Sequence, residues 1–138
     1  MAANAFEEVA SEMRGHKVLV AEDDQTLRKL LEVMLSRRTV PCQTVGDGEA
    51  AVAAWESGAF DLVLMDIQMP RLDGLEATRI IRAREEVRGG HVPIIAMTAH
   101  ATSESRDLYR QAGMDDYIAK PFKFEQFFQL LDKYGTRH

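Results

Sequence analysis

The sequence of 138 residues has a single cysteine, Cys42, and no long apolar run. One cysteine excludes a disulfide within the chain and is typical of proteins kept in a reducing compartment. No apolar stretch approaches the roughly 20 residues that a membrane-spanning helix requires. The N-terminal segment MAANAFEEVASEM is acidic and lacks the basic start and apolar stretch of a signal peptide. These absences predict a cytoplasmic location without membrane contact.

Clustered positive charge is also absent. The chain has 17 lysine and arginine residues against 22 acidic ones, which gives a formal net charge of −5. Binding to the phosphate backbone of a nucleic acid depends on clustered basic side chains, so we expect no direct nucleic-acid contact. The length allows one domain with a substantial core and is too short for two ordinary domains.

What the sequence does contain is a regular alternation of short β-type runs and helical patterns. The predicted strands are 17–21, 40–45, 61–65, 93–97 and 116–119. The predicted helices are 25–37, an alanine-rich segment ending near 57, then 75–86, 102–112 and 123–134. This alternation predicts an α/β fold, a doubly wound parallel sheet with helices on both faces. Because Pro41 cannot donate a ladder hydrogen bond, the second strand is expected at a sheet edge.

Two predicted helices differ in how much apolar surface they offer to a core. The first has a broad apolar stripe, and Asp24 is placed to cap its start. The members of that stripe are Leu27, Leu30, Leu31, Met34 and Leu35. The helix at 102–112 has fewer inward candidates, namely Ala101, Leu108 and Ala112. We therefore expect this helix to be weakly anchored and a candidate for movement.

The predicted domain covers residues 17–135. Residues 1–16 are expected to be an N-terminal extension or linker remnant, because chain termini are usually poorly ordered. A short amphipathic helix in that segment is the alternative. Residues 136–138 are expected to form a C-terminal tail.

Polar side chains follow four of the predicted strands at their carboxyl ends. The acids at 22–24 follow VLVA, Asp66 follows DLVLM, Thr98 ends PIIAMT, and Lys120 follows DYIA. Ligands of an open parallel α/β sheet bind at that edge, so we expect these residues to share one pocket. Carboxylates packed closely repel one another unless a cation joins them, and Mg²⁺ is the expected ion, with Mn²⁺ as an alternative.

These residue types together suit phosphoryl chemistry. Asp66 is the candidate nucleophile, since a carboxylate can attack phosphorus and form an acyl phosphate. Asp23 is predicted to bind the metal directly and Glu22 through a water molecule, while residue Gln68 would contribute its backbone carbonyl. Lys120 can pair with Asp66 and then with a phosphoryl oxygen.

Each of these residues also has an ordinary structural explanation. The acids at 22–24 could only cap a helix, and Asp66 could be a turn residue. Thr98 is a common type of strand residue, and Lys120 could be a solvated surface lysine. His100 lies near the predicted pocket, where a bystander role is the simpler explanation. Their coincidence at successive strand ends favours a shared site.

Four segments of the chain resemble the receiver domain of two-component response regulators. They are VLVAEDD, LVLMDIQMPRLDGLEATRIIR, PIIAMTAHA and GMDDYIAKPF. The similarity extends from about residue 17 to about 134, and the last two segments most resemble receivers of hybrid histidine kinases. The resemblance implies a flavodoxin-like, five-stranded parallel sheet in the order 2-1-3-4-5.

The resemblance also implies roles for individual residues. Asp66 matches the phosphoacceptor, and Mg²⁺ ligands are implied at Asp23, Asp66 and the carbonyl of Gln68. Glu22 takes a second acidic position where many relatives have aspartate. Lys120 matches the family's lysine and precedes a cis peptide bond.

Further positions match residues that control switching in the family. Thr98 matches the switch hydroxyl and Tyr117 the switch aromatic. Gln68 and His100 fall where relatives tune the lifetime of the phosphoryl group.

The implied function is phosphorelay signalling, with a histidine kinase or histidine phosphotransfer domain as the donor. Such a domain catalyses its own phosphotransfer and dephosphorylation and is not expected to be a stand-alone enzyme, although it could be part of a hybrid histidine kinase. A downstream protein would bind the face formed by the fourth helix, fifth strand and fifth helix.

Two other functions stay open from the sequence. One is an interaction or dimerisation module that retains the fold and works without phosphorylation. The other is a metal-dependent phosphohydrolase, which is disfavoured because no second acid stands two residues after Asp66.

Overall fold

The computed structural model describes residues 17–134. The predicted extension at 1–16 and the tail at 136–138 lie outside the described residues. Within residues 17–134 five strands alternate with five helices. The elements are β1 (Val18–Ala21), α1 (Gln25–Arg37), β2 (Cys42–Val45), α2 (Gly48–Ser57), β3 (Leu62–Asp66), α3 (Gly74–Arg88), β4 (Ile94–Thr98), α4 (Ser103–Ala112), β5 (Asp116–Ala119) and α5 (Phe124–Tyr134). None of these helices has the length and apolar character needed to cross a membrane.

The five strands form one parallel sheet in the order β2-β1-β3-β4-β5. Both the predicted doubly wound fold and the predicted strand order are confirmed. The order changes direction at β1, with β3 on one side and β2 on the other. A crevice therefore opens at the carboxyl ends of the central strands, where ligands of such sheets bind.

Alternate residues of the strands point to opposite faces of the sheet and build two cores. On one face, Val18 and Val20 pack with Leu31 of α1 and Phe127 of α5. On the other face, side chains of α2, α3 and α4 cover the sheet. This second core includes Leu19, Met65, Trp55, Ile81 and Tyr109. All residues of β1, β3 and β4 are buried, as expected for strands covered on both faces.

The second strand lies at the sheet edge, as Pro41 predicted. It begins at Cys42 and not at Val40 as predicted, because proline has no amide hydrogen for a sheet ladder. The carbonyl oxygen of Pro41 still accepts a hydrogen bond of 2.9 Å from the backbone N–H of Val18. Pro41 thus accepts a hydrogen bond from β1 although it lies just before the start of β2.

The prediction that Leu30 and Leu108 face the core is wrong. Leu30 of α1 is 39% exposed because it lies at the margin of the apolar stripe, away from the buried Leu31, Met34 and Leu35. Leu108 of α4 is 51% exposed. The larger buried side chain of α4 is Tyr109, which lies one residue further round the helix.

Helix starts are fixed by side-chain caps. The predicted cap at Asp24 is confirmed, since its carboxylate accepts from the backbone N–H groups of Thr26 and Leu27 at 2.9 and 3.1 Å. Asp73 caps α3 in the same way, accepting from the N–H of Glu76 at 2.8 Å. These caps satisfy helix N–H groups that otherwise lack a partner in the helix.

We expect Asp73→Ala to lower the free energy of unfolding by about 1 kcal/mol, the usual cost of losing an N-cap. Asp73→Asn keeps an oxygen acceptor and should unfold close to the wild type. Urea denaturation followed by circular dichroism measures both variants. Equal losses in the two variants would show that the carboxylate charge matters more than the cap bond.

Candidate functional site

The carboxyl ends of β1, β3, β4 and β5 open into one cleft with a volume of about 330 Å³. The residues that line it are Glu22, Asp23, Asp24, Asp66, Ile67, Gln68, Thr98, Ala99, His100 and Lys120. The structure therefore brings together every predicted site residue except Tyr117. Parallel strands place their ends at the same edge, which is why residues nearly 100 positions apart meet here.

The start of α3 lies close to Asp66, the last residue of β3. The backbone N–H of Gly74, the first residue of α3, donates to the carbonyl of Ile67 at 2.9 Å. A Cβ atom at Gly74 would lie 2.1 Å from the carbonyl oxygen of Asp66, so only glycine lets α3 start this close to β3. The DG pair in the loop thus supplies both the cap of α3 and its close approach to the site.

Three carboxylates converge in the cleft. Glu22 is fully buried, Asp66 is 5% exposed, and Asp23 is exposed. One oxygen from each of the three lies within 4.8 Å of the others. The second Glu22 oxygen, Oε2, accepts a hydrogen bond of 3.0 Å from the backbone N–H of Asp24.

Lys120 lies between the two buried acids. Its Nζ is 2.7 Å from Oε1 of Glu22 and 3.2 Å from Oδ1 of Asp66. The backbone N–H of Lys120 donates to the carbonyl of Thr98 at 2.7 Å, which extends the pairing of β5 with β4 by one residue. The peptide bond from Lys120 to Pro121 is cis, as the family resemblance implied.

Burial and crowding change the proton affinities of these groups. Burial, the hydrogen bond that a protonated Asp66 carboxyl donates to Glu22 and the negative charge of Glu22 raise the pKa of Asp66 to about 7, although Lys120 opposes them. Burial lowers the pKa of Lys120, but its bonds to Glu22 and Asp66 and their charges outweigh burial, so the net pKa is raised. The ammonium is therefore held charged beside a carboxyl that resists ionisation.

The residues present fit a divalent cation. When all groups are ionised, three carboxylates face one ammonium, so two negative charges lack a balancing partner. Oxygen donors from carboxylates are the ligands that Mg²⁺ prefers. Both oxygens of Glu22 already accept protein hydrogen bonds, which favours contact through water for Glu22 and direct contact for Asp23 and Asp66.

Thr98 is 2% exposed, and its hydroxyl is engaged away from the acids. Its Oγ1 lies 2.6 Å from the hydroxyl oxygen of Tyr109 and 2.9 Å from the carbonyl oxygen of His100. The backbone N–H of His100 donates back to Oγ1 at 2.8 Å. His100 thus contributes its backbone to the Thr98 environment, while the residue itself is exposed at the rim of the cleft.

Tyr117 is placed outside the cleft. Its hydroxyl accepts a hydrogen bond of 3.0 Å from Nη1 of Arg106, and the Arg106 guanidinium lies 5.4 Å from the centre of the Tyr117 ring. The side chain therefore contacts α4 on the outer side of β5.

Sequence reasoning missed Tyr109 and Arg106 because it chose Leu108 as the inward residue of α4. Tyr109 and Ala112 are three positions apart and share a helix face, so the spacing alone would have allowed Tyr109. Hydrophobicity favoured leucine at this point. A buried tyrosine needs a partner for its hydroxyl, and only the fold reveals that Thr98 and His100 supply one.

The model of one protein family matches nearly the whole chain. Its description is response regulator receiver domain, and the match covers residues 18–132. The chain belongs to the response regulator receiver family. The predicted family resemblance is thereby confirmed, and the chain is a receiver domain of the two-component phosphorelay type.

Relatives of this receiver domain include much longer proteins. Hybrid signal transduction histidine kinase I of Dictyostelium discoideum is 40% identical over 127 residues, which cover 88% of this chain and 7% of that protein. The chain therefore spans a small part of the curated relatives it matches.

Two solved structures are informative neighbours. The receiver domain of sensor histidine kinase PA1611 from Pseudomonas aeruginosa is 41% identical, with a TM-score of 0.78 over 86% of this chain and 96% of that one. That structure has a magnesium ion coordinated in its active site cleft. The receiver domain of Ssk1 from Saccharomyces cerevisiae, solved with the histidine phosphotransfer protein Ypd1, is 27% identical, with a TM-score of 0.84 over 87% of this chain and 88% of that one.

Proposed function

We propose that this domain accepts a phosphoryl group on Asp66 from a phosphohistidine donor, in a reaction that depends on Mg²⁺. The observation that carries the proposal is the position of the Asp66 carboxylate, nearly buried, 3.2 Å from Lys120 and grouped with the oxygens of Glu22 and Asp23. This arrangement combines a nucleophile, a fixed ammonium and a cation-binding set in one cleft.

Asp23, Asp66 and the backbone carbonyl of Gln68 would hold the ion, with Glu22 in contact through water. Bound Mg²⁺ supplies positive charge that offsets the charge on the phosphoryl oxygens. The magnesium ion in the related PA1611 receiver supports this assignment. Mn²⁺ has the same preference for oxygen ligands and would be accepted as well.

Three side chains of this domain have separate roles in the proposed transfer. An ionised Asp66 oxygen attacks the phosphorus, and the new P–O bond forms as the P–N bond to the donor imidazole breaks. Nζ of Lys120 already contacts Asp66, so it is placed to pair with an oxygen of the transferred phosphoryl group. Glu22 keeps Lys120 in the cleft through the 2.7 Å bond.

The donor would be a histidine kinase or a histidine phosphotransfer domain, as the Ssk1–Ypd1 complex of a related receiver supports. Transfer would pull the Thr98 hydroxyl toward the phosphoryl group and change the face formed by α4, β5 and α5. Such a change biases an equilibrium between two existing states. The two residues Gln68 and His100 at the rim of the cleft would set how readily water reaches the aspartyl phosphate.

The proposal is tested by incubating the chain with Mg²⁺ and acetyl phosphate and measuring the intact mass. We expect a gain of one phosphoryl group in the wild type and none with EDTA or in Asp66→Asn. The matched control is Asp107→Asn on the exposed face of α4, which should be modified like the wild type.

Other outcomes would identify a different function. Steady release of phosphate from many esters would favour a phosphohydrolase. No reaction in the wild type would contradict the proposal and favour an interaction module that works without phosphorylation. Modification that persists in Asp66→Asn would show that another residue accepts the phosphoryl group.

A further inference from the structure

The Thr98 hydroxyl forms a closed cluster with a residue of α4. Tyr109 donates from its hydroxyl to the carbonyl of His100 at 2.7 Å, and the same hydroxyl oxygen lies 2.6 Å from Oγ1 of Thr98. Thr98 Oγ1 is also 2.9 Å from the His100 carbonyl. Each hydroxyl has one hydrogen, so Thr98 and Tyr109 have two hydrogens to donate among these three contacts. With both used inside the cluster, the Thr98 hydroxyl is directed to Tyr109 or His100 and not to Asp66.

The contact with Thr98 matters for α4 because this helix has few other anchors. Tyr109 and Ala112 are the buried residues of α4, and Tyr109 is much the larger of the two. The ring packs into the core on one face of the sheet, and the hydroxyl reaches the end of β4. A movement of Thr98 toward Asp66 would break the 2.6 Å contact and remove a polar anchor of α4.

Tyr117 is less suited to sense Thr98 in this chain. Its hydroxyl is bonded to Arg106, and its ring lies beside the guanidinium of that residue. Meanwhile the position next to the Thr98 hydroxyl is already filled by the Tyr109 hydroxyl. A hollow of about 340 Å³ beside α4 is lined by both tyrosines.

We propose that Tyr109, and not Tyr117, is the positioning residue that couples Thr98 to helix α4. The inference rests on the proposed function, since the signal is the capture of the Thr98 hydroxyl by a phosphoryl group on Asp66. In the resting domain Tyr109 holds Thr98 away from Asp66 and Thr98 holds α4 against the sheet. In the phosphorylated domain both restraints are lost together.

The contact is first tested in the unmodified chain by hydrogen exchange at the α4 amides of residues 107–112. Tyr109→Phe keeps the ring and removes the hydroxyl, and Thr98→Val removes the partner hydroxyl with little change in shape. Each is expected to speed exchange about fivefold, the change expected for one hydrogen bond. The double variant should exchange no faster than the quicker single variant, because both changes remove the same contact. A double effect of about 25-fold, the product of the two, would overturn the coupling.

The switch itself is tested with Mg²⁺ and beryllium trifluoride, a phosphoryl analogue. Binding of the analogue to the wild type should speed α4 exchange about fivefold. Tyr117→Phe is the matched control, since it removes a tyrosine hydroxyl bonded to Arg106, and it should retain this response. Tyr109→Phe should bind the analogue but show no further change in α4.

A response that is lost in Tyr117→Phe and kept in Tyr109→Phe would overturn the inference. If the wild type accepts acetyl phosphate on Asp66 and Tyr109→Phe still responds like the wild type, the inference fails while the proposed function stands. If the wild type neither binds the analogue nor accepts a phosphoryl group, the proposed function fails, and the switching role of Tyr109 fails with it.

Discussion

Replacing Lys120 by methionine is expected to lower the free energy of unfolding by about 3 kcal/mol in EDTA at pH 8, because it leaves two buried carboxyl groups without their cation. Glu22 is fully buried and loses a 2.7 Å bond to Nζ, and the nearly buried Asp66 loses one of 3.2 Å. Methionine fills a similar volume, so the loss reports charge and not a cavity. Urea denaturation with fluorescence from Trp55 provides the measurement.

The charge argument is checked by adding Glu22→Gln to the Lys120→Met variant. Removing one of the two carboxylates should recover a large part of the lost stability, because the remaining acid no longer faces a like charge. Lys133→Met is the matched control, since Lys133 pairs with Asp116 at 3.1 Å on the exposed surface, and its urea midpoint should stay near that of the wild type. Wild-type stability of Lys120→Met in EDTA would mean that the lysine does not hold these acids.

Replacing Asp66 by asparagine is expected to stabilise the metal-free domain at pH 8, by up to about 4 kcal/mol at about 1.4 kcal/mol per pKa unit. The pKa of Asp66 is about 7 in the folded domain, against an ordinary value of 3.8. Between these two values the folded chain binds more protons than the unfolded chain, so wild-type stability falls as the pH rises from about 4 to about 7. Asparagine cannot ionise and avoids this loss. The advantage of Asp66→Asn should therefore shrink as the pH is lowered toward 4.

In Mg²⁺ we expect the wild type to be more stable than Asp66→Asn. An ion that binds only the folded state stabilises it according to its concentration and affinity, and Asp66→Asn removes one of the proposed ligands. Parallel urea titrations at pH 5 to 8, in EDTA and in Mg²⁺, separate the two effects, with Asp107→Asn as an exposed control. Equal stabilisation of wild type and Asp66→Asn by Mg²⁺ would exclude Asp66 as a ligand. Equal stability of the two at pH 8 in EDTA would contradict the raised pKa.

Much of the fold could be predicted because the local signals agreed with one another. The bounds of α1 and β5 match the predicted ranges, and the other elements differ by one to a few residues at their ends. The alternation of strands and helices indicated a sheet covered on both faces, and Pro41 indicated the edge position of β2. Gly113 adopts the left-handed conformation that ends α4, which is typical of glycine at the end of a helix. Each of these features depends on short-range chemistry that the sequence displays directly.

The candidate site could be assembled from the sequence because topology places strand ends together. Once a parallel sheet is accepted, the acids after β1, Asp66, Thr98 and Lys120 must share one edge. Their distances could not be predicted. Lys120 lies closer to Glu22 than to Asp66, at 2.7 against 3.2 Å.

By itself the sequence determined the alternation of strands and helices, the edge position of β2 and the side chains that meet in the cleft, since periodicity, breakers and residue types are local properties, while the strand order followed from the family resemblance. Only the tertiary structure decided which residue of α4 faces inward and what each tyrosine touches. Leu108 and Tyr109 are both compatible with a helix that buries one narrow face. Tyr109 is the inward residue, and its buried hydroxyl has a hydrogen-bond partner in Thr98, which is 11 residues away in the chain.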